Sequence, residues 1–392
     1  MGKWVEAYGF SHKDISIAEF FVSNQTVRYV VPIGISGSKV QIVLSNQFGN
    51  EDLVLDKVMI GTIEKDDSIK QEKLALVTYN NSKKIIIPKG EDITCDVLDY
   101  RILSGEELGI SIYIKNKVRI RSGGSNLGRR YLSIEGDYTE YKNIPKPATE
   151  INEPKNGLDY FTIPTVDIIK KINVYTKSEA YCIAAFGDSI TAMDYWRKPL
   201  AERLQNKYQG LVTVLNYGII GNRLLYPTGL RGLHGVFGEA GEKRILEDGL
   251  KIKGLKYIIL LEGSNDLIQP GVCAPLSQQV SANEIIDAYK RIIRKAYEHG
   301  IRVIGGTIPP FCGPDQTYWD NAENNRNIIN QWIRKSDEFY AVIDFDMILA
   351  DEVDKKRIKD GLHLGDWLHP NQIGGNLIAK NIDIDIFREP PC

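Results

Sequence analysis

Four short blocks in the second half of this chain hold residues whose types could do chemistry together. In order they are Gly187-Asp188-Ser189, Asn216-Tyr217-Gly218-Ile219-Ile220-Gly221, Gly263-Ser264-Asn265-Asp266 and Asp366-Trp367-Leu368-His369-Pro370. A serine hydroxyl is a weak nucleophile until an imidazole can take its proton, and an imidazole works best when a carboxylate fixes its tautomer. Ser189, His369 and Asp366 supply that set, and one loop can deliver the last two because they stand three residues apart. Gly221 lets a backbone N–H approach substrate with no Cβ in the way, and Asn265 offers a neutral side-chain donor. With the Ser189 N–H these make three donors for a developing oxyanion. The chemistry is acyl transfer through a serine.

Each block has a plainer reading when taken singly. Gly-Asp-Ser is a common turn and helix cap, Gly221 and Asn265 are ordinary turn residues, and His-Pro-Asn is turn-like. Asp266 reads as a group that fixes its loop by hydrogen bonds. A rival base pair, Asp360 and His363, repeats the Asp366–His369 spacing six residues earlier. His363, Asp366 and His369 also invite a metal-ligand reading. The lack of a third histidine at helical spacing speaks against it, so no metal and no cofactor is expected. His12, His234 and His299 read as surface or structural.

The elements that must position these groups fall into two halves. Up to about residue 170 the chain reads as short strands: Val27 to Val31, Lys39 to Leu44, Leu53 to Ile60, Leu74 to Tyr79, Lys84 to Ile87 and Leu108 to Ile114. Gly34, Ser36, Gly37 and Ser38 signal a hairpin between the first two. Ile110, Ile112 and Ile114 alternate with Ser111 and Tyr113, as on a strand with one face on a core. A short helix fits near Asp14 to Phe20. An all-β, jelly-roll-like sandwich is expected for residues 1–177, with Tyr141 to Gly157 and its prolines as a connector.

From Tyr181 strands alternate with helices. The strands are Tyr181 to Phe186, Val212 to Asn216, Tyr257 to Leu261, Ile301 to Gly305 and Ala341 to Phe345. One helix spans Pro199 to Tyr208 with Leu200, Leu204 and Tyr208 on one face. Another starts at Ser281 with a capping box to Glu284 and stops at Gly300. Such alternation builds a parallel sheet covered on both faces, with ligands at the carboxyl ends of the strands. Ser189, Gly221 and Asn265 each lie just past a strand and should converge there. The boundary falls near residue 177, leaving 178–392 as the catalytic domain.

Composition narrows the classes. A chain of 392 residues is long for one core. A formal charge of -2 gives no reason to expect nucleic acid. No apolar run approaches the roughly 18 residues of a membrane span. The first residues lack the apolar core and cleavage site of a secretory signal, and the five cysteines are scattered without a CxxC pair. A cytoplasmic protein with reduced thiols is therefore expected. No GxSxG elbow is present, which argues against an α/β-hydrolase.

The four blocks, over about residues 180–388, resemble the SGNH (GDSL) hydrolases. The resemblance implies a flavodoxin-like three-layer α/β/α domain and a metal-independent esterase. Asn24 to Arg28, Ser38 to Gly49, Gly221 to Leu225, Leu261 to Asp266 and Gly300 to Gly305 look like a bacterial two-domain subfamily. There a β-sandwich similar to carbohydrate-binding modules precedes a lysophospholipase- or carbohydrate-esterase-like hydrolase, which implies a small-molecule or oligosaccharide ester as substrate and acetylated sugars as a candidate. Two departures stand out: a short link from Ala192 to Trp196, and Trp367 where members often have a second histidine. Asp188, Trp196, Asn222, Phe311 and Trp367 are candidate substrate-lining residues. Trp196, Phe311, Trp319 and Trp367 fit a pocket wall and a core equally. The same residues would serve an acyltransferase, and a sugar-binding protein with an idle hydrolase scaffold is the reading from another class. The intact set of blocks speaks against the latter.

Overall fold

The computed structural model describes residues 2–17, 19–125, 128–145, 165–227, 235–313 and 321–388. Most of the expected connector and residue Trp319 lie outside these. The chain divides into two units. One is Met1–Ala180 with Tyr208–Thr213; the other is Tyr181–Lys207 with Val214–Cys392.

The first unit is strand-rich and antiparallel, as a β-sandwich is. One sheet runs Arg129–Glu135, Gln25–Pro32, Glu107–Ile114, Lys57–Lys65, Ser68–Ile69, with Ala75–Leu76 also on Lys57–Lys65. Another runs Gly2–Gly9, Ile169–Lys177, Lys39–Ser45, Asp92–Thr94.

The expected hairpin is overturned, because Gln25–Pro32 and Lys39–Ser45 belong to different sheets. Ile33 and Ile35 explain this. Both are fully buried, so the connection crosses the core instead of turning in solvent. Strand Glu107–Ile114 is central, and Ser111 on its second face is as buried as Ile110 and Ile112. Ser111 accepts a hydrogen bond from Arg28 Nε at 2.7 Å, and the same guanidinium donates to the carbonyls of Asp67, Tyr141 and Lys142 at 2.7–2.8 Å. A paired, hydrogen-bonded charge can be buried where a lone one cannot. The one-faced alternation was therefore too simple.

The expected strand from Leu53 breaks at Asp56 into Leu53–Leu55 and Lys57–Lys65, which pair with different partners. Among the described residues no helix forms near Asp14. Its side chain accepts from Ser16 N at 2.8 Å, a local turn that competes with helix.

The second unit holds a five-stranded sheet in the order Val212–Gly218, Tyr181–Gly187, Leu255–Leu261, Arg302–Gly306, Ala341–Ile343. The pairs from Tyr181–Gly187 through Ala341–Ile343 are parallel. In chain order this is 2-1-3-4-5, the flavodoxin-like arrangement. Tyr181–Gly187 is buried along its whole length, as a central strand covered on both faces must be. Helix Ala282–Glu298 has the expected capping box, and its apolar residues Ile285, Ala288, Ile292 and Ala296 are buried. Helix Arg197–Lys207 buries Leu200 and Leu204, but Tyr208 falls beyond its end. The last strand is shorter than expected because Asp344 caps a new helix, Phe345–Leu349. Among the described residues no helix is long and apolar enough to cross a membrane.

Candidate active site

The strand order reverses beside Tyr181–Gly187 and Leu255–Leu261, which is where open α/β sheets bind ligands. Ser189 follows the first of these strands and Asn265 the second. The turn into helix Ser189–Ala192 is tight. A Cβ on Gly187 would lie 2.2 Å from Thr191 Oγ1 and 2.7 Å from the Leu261 carbonyl oxygen. Asp188 caps the helix by accepting from Ile190 N at 2.9 Å. The plain cap reading is thus right for Asp188 while Ser189 is presented beyond it. A helix of four residues has little dipole, so what this terminus offers a developing anion is the Ser189 N–H, an orphan donor of the first turn.

His369 Nε2 lies 2.7 Å from Ser189 Oγ, and His369 Nδ1 lies 2.6 Å from Asp366 Oδ2. Asp366 Oδ1 accepts from Leu368 N at 3.1 Å and His369 N at 3.0 Å. These bonds orient the carboxylate. A proton on Nδ1 shared with Asp366 leaves the Nε2 lone pair facing the serine hydroxyl.

The environment splits the two carboxylates near the imidazole. Burial opposes ionisation of Asp366, but the His369 hydrogen bond and charge and two backbone N–H groups outweigh it, drawing its pKa down to about 2. Burial dominates at Asp188 and pushes it up to about 6, against the Ile190 N–H and His369. Asp366 is therefore the firmly ionised partner at neutral pH.

Gly221 has φ +74, and a Cβ there would lie 2.6 Å from the Phe237 ring. Gly221→Ala should therefore displace the proposed oxyanion donor and lower kcat on the order of 10- to 100-fold, with a smaller change in KM, in ester-hydrolysis kinetics. Asn265 Nδ2 donates to the Asn222 carbonyl at 2.9 Å and stands 3.5 Å from Asp188 Oδ2. The second contact is at the limit of a hydrogen bond, so that hydrogen is the one available to a substrate oxygen. Asp266 accepts from Leu224 N at 2.6 Å and Leu225 N at 3.0 Å, so it fixes the distant loop after Gly221 rather than its own.

Other expected residues are placed differently. Trp196 is fully buried with its ring edge-on to Phe345, and Phe311 is fully buried beneath the Arg326 guanidinium. Asn222 is also fully buried. It donates to the Phe237 and Glu239 carbonyls and accepts from Arg244. These three are interior residues with no surface to offer a substrate. Trp367 is partly exposed and packs against His363, ring centroids 5.2 Å apart. The rival pair is loose, His363 Nε2 to Asp360 Oδ1 being 3.8 Å with Asp360 almost fully exposed. Among the described residues no group of three or more His, Cys, Asp or Glu could hold a metal ion.

His12 is buried rather than superficial, and burial pushes its pKa down to about 3. His299 is exposed and closes helix Ala282–Glu298, and His234 lies outside the described residues. Sequence reasoning missed Gln269, whose Nε2 donates to the Gly221 carbonyl at 2.9 Å. Its signal was available: four residues after Asn265, it shares that residue's helical face. Phe237, packed on Gly221, had no local signal.

Residues 185–376 match the model of the GDSL-like lipase/acylhydrolase family, so this part of the chain is a hydrolase domain of that family. No curated protein matches the chain. Similar solved structures include an acetyl xylan esterase from Geobacillus stearothermophilus, 20% identical with a TM-score of 0.39 over 51% of this chain and 91% of that one. A carbohydrate acetylesterase from Sinorhizobium meliloti is 13% identical with a TM-score of 0.39, over 51% and 94% of the two chains. A GDSL-like lipase from Bacteroides thetaiotaomicron is 15% identical with a TM-score of 0.39, over 53% and 87%.

Proposed function

We propose that this GDSL-type esterase cleaves small acyl esters, acetyl above all, of carbohydrates or other small alcohols through an acyl-enzyme on Ser189. The observation that carries the reading is the unbroken chain from Ser189 Oγ through His369 to Asp366, at 2.7 and 2.6 Å. Ser189 Oγ attacks the ester carbonyl carbon while His369 Nε2 takes its proton, and Asp366 stabilises the resulting imidazolium. Gly221 N–H, Ser189 N–H and the Asn265 amide receive the negative charge of the tetrahedral intermediate. Collapse expels the alcohol, which collects the proton from His369. Water then repeats the sequence to release the acid.

A small acyl group is supported by the crowding of Phe237 against Gly221. The carbohydrate alcohol is supported by the likeness of residues 24–28 and 38–49 and of the second-half segments to the two-domain esterases, and is the finer part of the proposal. A fluorophosphonate should label Ser189 alone. Across p-nitrophenyl acetate, butyrate and octanoate, and acetylated sugars, kcat/KM should be highest for acetyl and fall with chain length. Labelling at another residue would remove the mechanism. A preference for octanoate would remove the small-acyl reading. Transfer to an added alcohol in place of hydrolysis would make the enzyme an acyltransferase.

A further inference from the structure

We propose that His363, the residue that looked like a rival base, is a positioning residue that holds the turn carrying Asp366 and His369 through the lone pair on its Nδ1. The inference rests on the Ser189–His369–Asp366 reading. The loop is closed on itself. Leu364 N donates to the His369 carbonyl, Asn371 N to the Leu362 carbonyl, and Asn371 Nδ2 to the carbonyls of Gly361 and His363. Inside this closure lies the His363 ring, whose side chain is only 7% exposed.

The N–H groups of Gly365 and Trp367 donate to His363 Nδ1 at 3.0 and 3.2 Å. They flank Asp366 on both sides. Gly365 has φ +99 and Trp367 φ +54. Tryptophan in the left-handed region is disfavoured and persists only where its surroundings hold it. His363 supplies that hold twice, by the hydrogen bond to Trp367 N and by the ring contact at 5.2 Å. Leu368 N and His369 N are taken by Asp366 itself. The imidazole thus anchors the two peptide groups that the carboxylate does not reach. Nδ1 must keep its lone pair to do this, which places the proton on Nε2, towards Asp360.

The test compares His363→Asn, His363→Gln and His363→Leu. An asparagine side-chain oxygen sits where Nδ1 does, one bond from Cγ, and can accept both N–H groups. Glutamine carries its acceptor one carbon further out, and leucine keeps bulk without an acceptor. Leucine and glutamine should lower kcat for p-nitrophenyl acetate, and the rate of fluorophosphonate labelling of Ser189, on the order of 10- to 100-fold with KM nearly unchanged. Asparagine should stand at least about fivefold above both at matched melting temperature. Leucine and glutamine variants as active as wild type would overturn the proposal, as would asparagine falling as far as glutamine. If leucine prevents folding, the asparagine–glutamine pair still decides. Retained turnover in Ser189→Ala would instead sink the underlying triad, whatever the His363 series shows.

Discussion

Ser189→Ala should reduce hydrolysis of p-nitrophenyl acetate on the order of 10³-fold or more while the protein still folds. The loss follows from removing the hydroxyl that meets His369 Nε2 at 2.7 Å in the proposed proton path. Folding should survive because the serine hydroxyl is not the helix cap. Asp188 performs that task through Ile190 N, and alanine is the better helix former at the first position. The substitution leaves Gly221, Asn265 and the backbone N–H at position 189 in place. Residual turnover above water is therefore expected from the oxyanion donors alone. A variant that melts like wild type and turns over within tenfold of it would remove Ser189 from the reaction.

Asp366→Asn should lower kcat on the order of 10²- to 10⁴-fold with a small change in KM. Asparagine is nearly isosteric, and its oxygen can still accept from Leu368 N and His369 N. Its amide would then face His369 Nδ1 as a donor. The imidazole must respond by keeping a lone pair on Nδ1 and its proton on Nε2, the wrong tautomer for taking a proton from Ser189.

The same substitution has a signature in stability. An ordinary aspartate titrates near 3.9, whereas Asp366 is held at about 2 in the folded protein. Its depressed value contributes stability that is fully present above about pH 4 and lost as pH falls towards 2. Melting temperatures of wild type and Asp366→Asn should accordingly converge over that interval. A gap that stays constant down to pH 2 would show that the carboxylate is not held in this way.

Much of this architecture was legible before any coordinates. The alternation of short apolar runs with longer periodic helices after Tyr181 pointed to the parallel sheet, because run length together with helical period distinguishes the two elements. Ser189 and Asn265 were legible as candidates since both sit where strands end, and such ends meet at one edge. What could not be read was partnership between distant segments. Ile33 and Ile35 look like turn neighbours of glycine until the interior that receives them exists. Arg28 and Ser111 look exposed until carbonyls from residues 67, 141 and 142 surround the guanidinium. Trp196 and Phe311 are bulky aromatics near catalytic blocks, and nothing local decides between wall and core. The proposed contribution of His363 was hidden for another reason: its spacing from Asp360 imitates that of Asp366 and His369.

The loop between Leu362 and Asn371 ties its own ends together, so the proposed proton-handling pair sits on one contiguous segment, far along the chain from the strand that leads into Ser189. Divergence can therefore silence or restore activity by exchanging one contiguous stretch of chain. A hydrolase-like scaffold whose nucleophile turn survives without such a stretch is a natural recipient for grafting it.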